Sequence, residues 1–522
     1  VARINSNIPS LIAQSKLSRT SSEMQLRLER LSTGLRINRG ADDPAGVIIS
    51  ERIRADLKGV DQGIKNGDRA SSVISTTEAA LAEVADLLSS IRSLLVESAN
   101  TGANSKAERD ANQLQIDSAI DSITRISNTA SFGGLKLLNG AQDYQLSGVR
   151  TSAIAQARVN NATFVATENL QVDVDVVASA QKGGLYYRAD LTTPTGVVVS
   201  ATTLEITGPK GVQVITIPSG QSIGQIVEAV NRLTSLTGVD ASLINNDANS
   251  GMVFRSDTYG SSSFVSVRRL GAPSGANEDF FTNSLFKFSD GQPIPSDDPF
   301  PWSTLVGNGV LNVAQRDAGQ DVQALVNGNL ATGDGLKLKV NSSALGMDLH
   351  LSEAFGTRPA GAVSSFNITG GGALFQLGQD VTALQQAAVG IPSTAASNLG
   401  GTLVDGSLYF LSSLKTGQIF GISSSVASGD FSAANDILSA AIDEVAVLRG
   451  RLGAFERNVL QTNTRSLQSA YENLSSSVSI IRDADFAAET SQLTRAQILS
   501  SSGMSVLQLA NQQSQQVLQL LG

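Results

Sequence analysis

The sequence predicts a mixed fold class: long coiled-coil α-helices from both termini form a core, and β-rich or α+β outer domains are inserted between them. Three observations predict it. Both ends of the 522-residue chain carry apolar residues at alternating steps of four and three. The middle is crowded with turn residues. The composition, 41% hydrophobic with a mean hydropathy of +0.02, belongs to a chain able to build packed cores.

The first seam is Leu17, Ser21, Met24, Leu28, Leu31 and Leu35. It predicts a helix to about Leu35 that breaks between residues 34 and 40. Asp43 and Pro44 then read as N-cap and first residue of a second helix. That helix reaches about Ala99 and repeats the spacing at Ile74, Thr77, Leu81, Val84, Leu88, Ile91, Leu95 and Ser98. Beyond it, Ser105 and Glu108 form an S-x-x-E capping box that opens a helix through Ile116, Ile120, Ile123 and Ile126. Phe132, Gly133 and Gly134 stop it. Asn139 and Gly140 suit a hairpin turn, with strands following toward residue 176.

Residues 176–430 hold 33 of the 48 glycines and 10 of the 12 prolines, which makes this the turn-rich part of the chain. Alternating patterns predict strands at 203–207, 212–218, 239–244, 252–256 and 264–269 and a helix at 222–233. These form a first outer α+β domain over 176–310. A second, β-rich domain is expected over 311–430, with a short helix at 321–327 and a turn at Gly333, Asp334 and Gly335. The flanking divisions are an N-terminal core helix (1–42), a helical layer with a hairpin (43–175), the C-terminal helix of that layer (431–480) and a C-terminal core helix (481–522).

The last part answers the first. Ala441, Val445, Leu448, Leu452, Phe455 and Val459 form one seam; the phase then slips by one residue, and Leu460, Thr464, Leu467, Tyr471, Leu474, Val478 and Ile481 continue it. Each seam is as narrow as that of a coiled coil. An isolated arm buries too little apolar surface to offset the entropy of ordering its backbone. It gains order by packing against a partner arm, in the same molecule or in another copy.

Composition excludes several functions. There is no cysteine, hence no disulfide, thiolate nucleophile or cysteine metal site. One histidine, His350, rules out a zinc site built from several imidazoles of one chain. A net charge of −9 argues against nucleic acid as main partner. No stretch has the length of a membrane span, and the first residues lack the apolar run of a cleaved signal peptide. Residues 1–40 carry seven Arg and Lys against two Glu, net +5, whereas 481–522 carry two Arg against three acids, net −1. A solvated helical face is the simpler reading of that asymmetry.

Candidate chemistry is sparse. Asp42 with Asp43, and Asp483 with Asp485, resemble metal-binding carboxylates, but helix capping explains them better, and no metal or cofactor is expected. Residues 220–224 fit G-x-S-x-G between a predicted strand and helix. Ser222 and Gln225 also make a capping box, and the only histidine for a triad is His350, itself on an alternating strand pattern. No Walker loop or HExxH site is present.

The segments LERLSTGLRINRGADDPAGVIISERIRADLKGV, ANTG at 99–102, and IIRDADFAAETSQLTRAQILSSSGMSVLQLANQQSQQVLQLLG together resemble bacterial flagellin, over roughly 1–150 and 430–522. Residues 202–270 resemble the flagellin hook IN motif. The resemblance implies a non-enzymatic subunit that polymerises into the helical filament used for swimming. Its core would be built from both termini, and Leu28, Leu31, Leu35, Val478, Ile481, Val506 and Leu507 are the candidate self-assembly residues. It further implies extracellular location after export without a cleaved signal, and, besides self, an export chaperone, a cap protein and hook-associated proteins as partners. The alternatives are a hook-filament junction protein and a surface adhesin presented on a coiled coil. Residues 91–100 are similar to the flagellin stretch read by a vertebrate innate receptor. Leu94 keeps that pattern, while Ser90 and Glu97 replace the usual arginine and glutamine. Loss of the guanidinium weakens that contact, so the stretch reads as core helix.

Overall fold

A computed structural model of the chain describes residues 7–162, 169–189, 196–198, 200–271, 285–289, 294–342, 345–358, 362–404 and 406–521. Seven helices carry the argument: α1 Ile8–Thr33, α2 Pro44–Ala99, α3 Lys106–Thr129, α4 Ile223–Asn231, α5 Ser432–Phe455, α6 Gln461–Arg482 and α7 Phe486–Leu521. Long helices toward both ends and several sheets between them give the mixed architecture that the seams and the turn-rich middle predict. The chain divides into two compact units. One comprises Val1–Ser71, Gln376–Gln386 and Arg457–Gly522; the other comprises Ser72–Phe375 and Ala387–Glu456.

In the first unit α1 ends at Gly34, whose φ of 71° is the left-handed cap conformation that glycine adopts without strain. A short antiparallel bridge joins Leu35 to Asp483, with Arg36 N donating to Arg482 O at 2.7 Å and Ala484 N to Gly34 O at 2.9 Å. Asp43 caps α2 by accepting from Gly46 N at 2.9 Å, and Asp485 caps α7 by accepting from Ala487 N and Ala488 N at 2.9 and 3.1 Å. Asp43 and Asp485 thus occupy free N–H groups that open a helix, while Asp42 accepts from Asn38 N and Arg39 N in the preceding loop and Asp483 from the Ser479 hydroxyl.

The one-residue phase slip in the C-terminal seam has a structural counterpart. Glu456–Leu460 form a single π-turn between α5 and α6. Such a turn holds one more residue than an α-turn, so the apolar stripe moves forward by one position.

In the second unit the seam of α2 is realised at every position from Ile74 to Ser98, all eight side chains being buried. Ser105 and Glu108 form both hydrogen bonds of the capping box on α3, and Ile116, Ile120 and Ile123 are buried below it. The hairpin that follows differs from expectation. Its strands, β1 Ser131–Phe132 and β2 Leu135–Lys136, turn at Gly133 and Gly134, with φ of 57° and 86°. Two successive positive φ values are what a two-residue hairpin loop requires. Asn139 instead makes a local turn, its Oδ1 accepting from Ala141 N at 3.0 Å.

Two β modules follow, one nested in the other. β3 Tyr144–Ser147, β4 Ile154–Ala162 and β5 Leu170–Ala178 precede the inner module. The inner module holds β6 Gly184–Arg188, β7 Thr202–Gly208, β8 Gly211–Ile217, β9 Val239–Leu243, β10 Gly251–Ser256, β11 Phe264–Leu270, β12 Leu285–Phe288, β13 Leu311–Val313 and β14 Arg316–Ala318. Its sheets run β13-β12-β6-β10-β9 and β14-β11-β7-β8. α4 buries Ile223, Ile226 and Val230 in the same core as Leu204, Ile206 and Phe254. The outer module is completed by β15 Gln323–Val326, β16 Asn329–Leu330, β17 Thr332–Asp334, β18 Lys337–Asn341, β19 Leu345–Leu351 and β20 Ala362–Gly371. Its sheets run β16-β15-β5-β20-β3 and β17-β18-β19-β4.

The short helix expected at 321–327 is β15, a strand. Val322, Ala324 and Val326 alternate into the core, and β15 pairs with β5. Asn327 and Gly328, at φ of 48° and 78°, turn the chain into β16. A period of two over five residues is short enough to be mistaken for part of a helical stripe.

Candidate self-assembly surface

α1 and α7 pack antiparallel. Asn7 Nδ2 donates to Ala510 O at 3.0 Å, Ser10 Oγ to Asn511 Oδ1 at 2.8 Å, and a Cβ added to Gly503 would lie 3.4 Å from Leu17 Cδ1. Near the bridged end, Arg27 Nη1 lies 2.9 Å from Glu489 Oε2 and Arg30 Nη1 lies 3.1 Å from Glu489 Oε1. Glu489 is buried. The charge asymmetry between the two ends is thus partly a desolvated ion triad and not only a solvated face, because both arginines lie one turn apart on the side of α1 that meets α7.

What the helix pair leaves uncovered matters more. Along α1 only Ala13 is fully buried, and along the described part of α7 the buried apolar residues are Ala496 and Ala510. Ile8, Leu11, Ile12 and Leu28 on α1, and Phe486, Ile498, Leu499, Met504, Val506 and Leu509 on α7, are exposed. Two helices have one line of contact, and a stripe wider than that line stays in water.

The candidate self-assembly residues all fall in this unit. Leu28 is 48% exposed and Val506 56%. Leu31, Leu35, Val478, Ile481 and Leu507 are half-buried. The arrangement brings α1 and α7 together, with Leu28 and Leu31 on α1 and Val506 and Leu507 on α7; Leu35 sits at the bridge to Asp483, and Val478 and Ile481 are on α6. Sequence reasoning missed the role of Glu489, although a lone acid facing a basic helix was a readable signal.

Leu94 lies on α2 in the other unit and is half-buried, beside the fully buried Ile91 and Leu95. Ser222 caps α4: its Oγ accepts from Gln225 N at 3.4 Å and Gln225 Oε1 accepts from Ser222 N at 3.2 Å. His350 is on β19, in register with Lys337 and Gln156, so the two residues belong to different modules and no nucleophile–base pair forms. Burial and the neighbouring Lys337 and Arg158 charges push the His350 imidazole down to about 4. It borders a cavity of about 330 Å³ lined also by Asp348, Glu444 and Arg451. Among the described residues no three His, Cys, Asp or Glu side chains are grouped to hold a metal, and no helix is long and apolar enough to cross a membrane.

Comparison with known proteins bears on this surface. Residues 4–143 match the bacterial flagellin N-terminal helical region, 436–521 the bacterial flagellin C-terminal helical region and 203–258 the flagellin hook IN motif. The flagellin of Salmonella rubislaw is 30% identical, with 99% of each chain covered. The B-type flagellin of Pseudomonas aeruginosa is 29% identical, again over 99% of each. Among solved structures, FlgL of Xanthomonas campestris overlaps 81% of this chain and 98% of its own at a TM-score of 0.26 and 11% identity. The D2-D3 domains of the flagellar cap protein FliD from Escherichia coli overlap 43% and 98% at a TM-score of 0.26 and 20% identity.

Proposed function

Since the chain belongs to the bacterial flagellin family and is a structural subunit of the flagellar filament, we propose that its assembly core is the partly covered apolar surface of α1, α6 and α7. The residues assigned to that core are Leu28, Leu31, Leu35, Val478, Ile481, Val506 and Leu507. The observation that carries this assignment is the poverty of burial along α1 and α7: a helix pair that buries little beyond small residues is completed when further copies cover its stripe. Contacts that do not close on themselves extend such a surface into a filament. The function is mechanical, and no catalysis is assigned to Ser222 or His350.

By family resemblance, the partners besides self are an export chaperone, the cap and the hook-associated proteins, and the chain leaves the cell without a cleaved signal. The residue assignment is tested by Leu31→Asp and Leu507→Asp, each of which places a carboxylate in the stripe. The expected result is no filament with the β modules still folded; wild-type filament yield from either variant would refute the assignment.

A further inference from the structure

The loop at 376–386 lies in the same compact unit as α1, α6 and α7 and carries two bare apolar side chains. Leu384 is 97% exposed and Val381 85%, the two highest values among large apolar residues described; the third, Ile480 at 78%, is also in this unit. One exposed leucine is ordinary. Two set three residues apart on one loop, at these values, call for a partner.

Hydrogen bonds hold the loop in shape. Gln385 Oε1 accepts from Asp380 N at 2.6 Å, Gln376 Nε2 donates to Asp380 O at 2.7 Å, and Leu377 N donates to Gln385 O at 2.9 Å. Its base rests on glycines of α2: a Cβ on Gly59 would lie 3.0 Å from Gln379 Cβ, and one on Gly63 3.2 Å from Leu377 O. Asn463 Nδ2 on α6 donates to Leu377 O at 2.8 Å. The one charge in the loop, Asp380, accepts from Gln385 Nε2 at 3.3 Å. The result is a braced projection whose exposed tip, Val381, Thr382, Ala383 and Leu384, carries no charge.

We propose that Val381 and Leu384 form a knob that docks on a second copy of this chain. The inference rests on the filament reading and deepens it. The occupant follows from the filament reading: the knob belongs to the same compact unit as α1 and α7, whose apolar residues are exposed, and a filament subunit is surrounded by copies of itself. A knob received by a different surface of the next copy is a heterologous contact, the kind that propagates without closing.

The absence of cysteine makes the test clean, because Leu384→Cys is then the only thiol in the chain. In the monomer it should react freely with a maleimide; in the filament the rate should fall at least about tenfold, as a burial of this size implies. Val214→Cys, on the exposed face of β8 in the other unit, should react alike in both states. Equal reactivity of Leu384→Cys in monomer and filament overturns the proposal. The double variant Val381→Ser, Leu384→Ser should keep the monomer's melting temperature and raise the critical concentration for assembly about tenfold; an unchanged critical concentration also overturns it. Wild-type filaments are scored first, so that their absence counts against the filament reading itself and not against the knob alone.

Discussion

Glu489, on the C-terminal helix, accepts from Arg27, on the N-terminal helix, through both carboxylate oxygens, at 3.0 and 2.9 Å across 462 residues of chain. Arg30 completes the triad from the next turn. Replacing the acid by an isosteric amide, Glu489→Gln, leaves two guanidinium groups facing a neutral side chain in a site mostly shut off from water. The expected cost is about 2–3 kcal/mol. Filaments of the variant should disassemble at lower temperature, and added salt should alter wild-type disassembly little because the triad is poorly screened. An unchanged disassembly temperature would remove the triad from the assembly argument.

Gly67 and Thr464 fix how closely α2 and α6 approach: a Cβ on Gly67 would lie 2.5 Å from Thr464 Oγ1. Gly450, in α5, has nothing within 4 Å of its added Cβ. Helix propensity alone favours Gly→Ala by about 0.5–1 kcal/mol. Gly450→Ala should therefore stabilise the protein. Gly67→Ala should destabilise it by about 1–2 kcal/mol, since overpacking outweighs propensity at such a distance. The double variant Gly67→Ala, Thr464→Ala should recover most of the loss in urea titrations. Equal effects of the two single alanines would show that the contact yields at no cost.

Local signals made much of this fold legible. The eight seam positions from Ile74 to Ser98 are all buried because a helical stripe is written in consecutive turns of one segment. The slip at Val459 and Leu460 marks the π-turn for the same reason. Capping boxes at Ser105 and Ser222 involve residues three apart and were equally readable. Non-local relationships were not. β5 pairs with β15 and β20, more than a hundred residues away, and no local pattern encodes which strands meet. Of the proposed assembly surface, Leu28, Leu31, Leu35, Val478 and Ile481 stand in the seams, whereas the exposed Ile8, Leu11, Ile12, Ile498 and Leu509, the Arg27–Glu489 contact and the bare Val381 and Leu384 depend on side-chain placement that only the folded chain defines.

Ser222 offers a direct separation of cap from nucleophile. Its hydroxyl accepts from the Gln225 backbone and opens α4, which packs three apolar residues into the inner module. Ser222→Ala should cost about 1 kcal/mol, the usual worth of an N-cap. The chain's single tryptophan, Trp302, is buried against Phe300 and Phe286 in that module, so its emission during urea unfolding reads the loss. A serine-reactive phosphonate should leave Ser222 unlabelled; stoichiometric labelling of the folded protein would reopen the hydrolase reading.

His350 sets an acid limit on the outer β module. Its folded pKa is depressed to about 4 from an ordinary 6.5, chiefly by burial, then by Lys337 and Arg158. Above 6.5 the imidazole is neutral in both states and contributes no pH dependence. As pH falls from 6.5 toward 4, the unfolded chain takes up a proton that the folded chain refuses, so stability declines across that window and the loss levels off once the folded state is protonated too. The full loss is about 3 kcal/mol. Since His350 is the only histidine, its imidazole gives a single proton NMR titration curve, expected with a midpoint near 4. His350→Gln should flatten the decline in stability between pH 6.5 and 4. A midpoint near 6.5 would mean that water reaches the ring, and the acid sensitivity assigned to this strand would disappear with it.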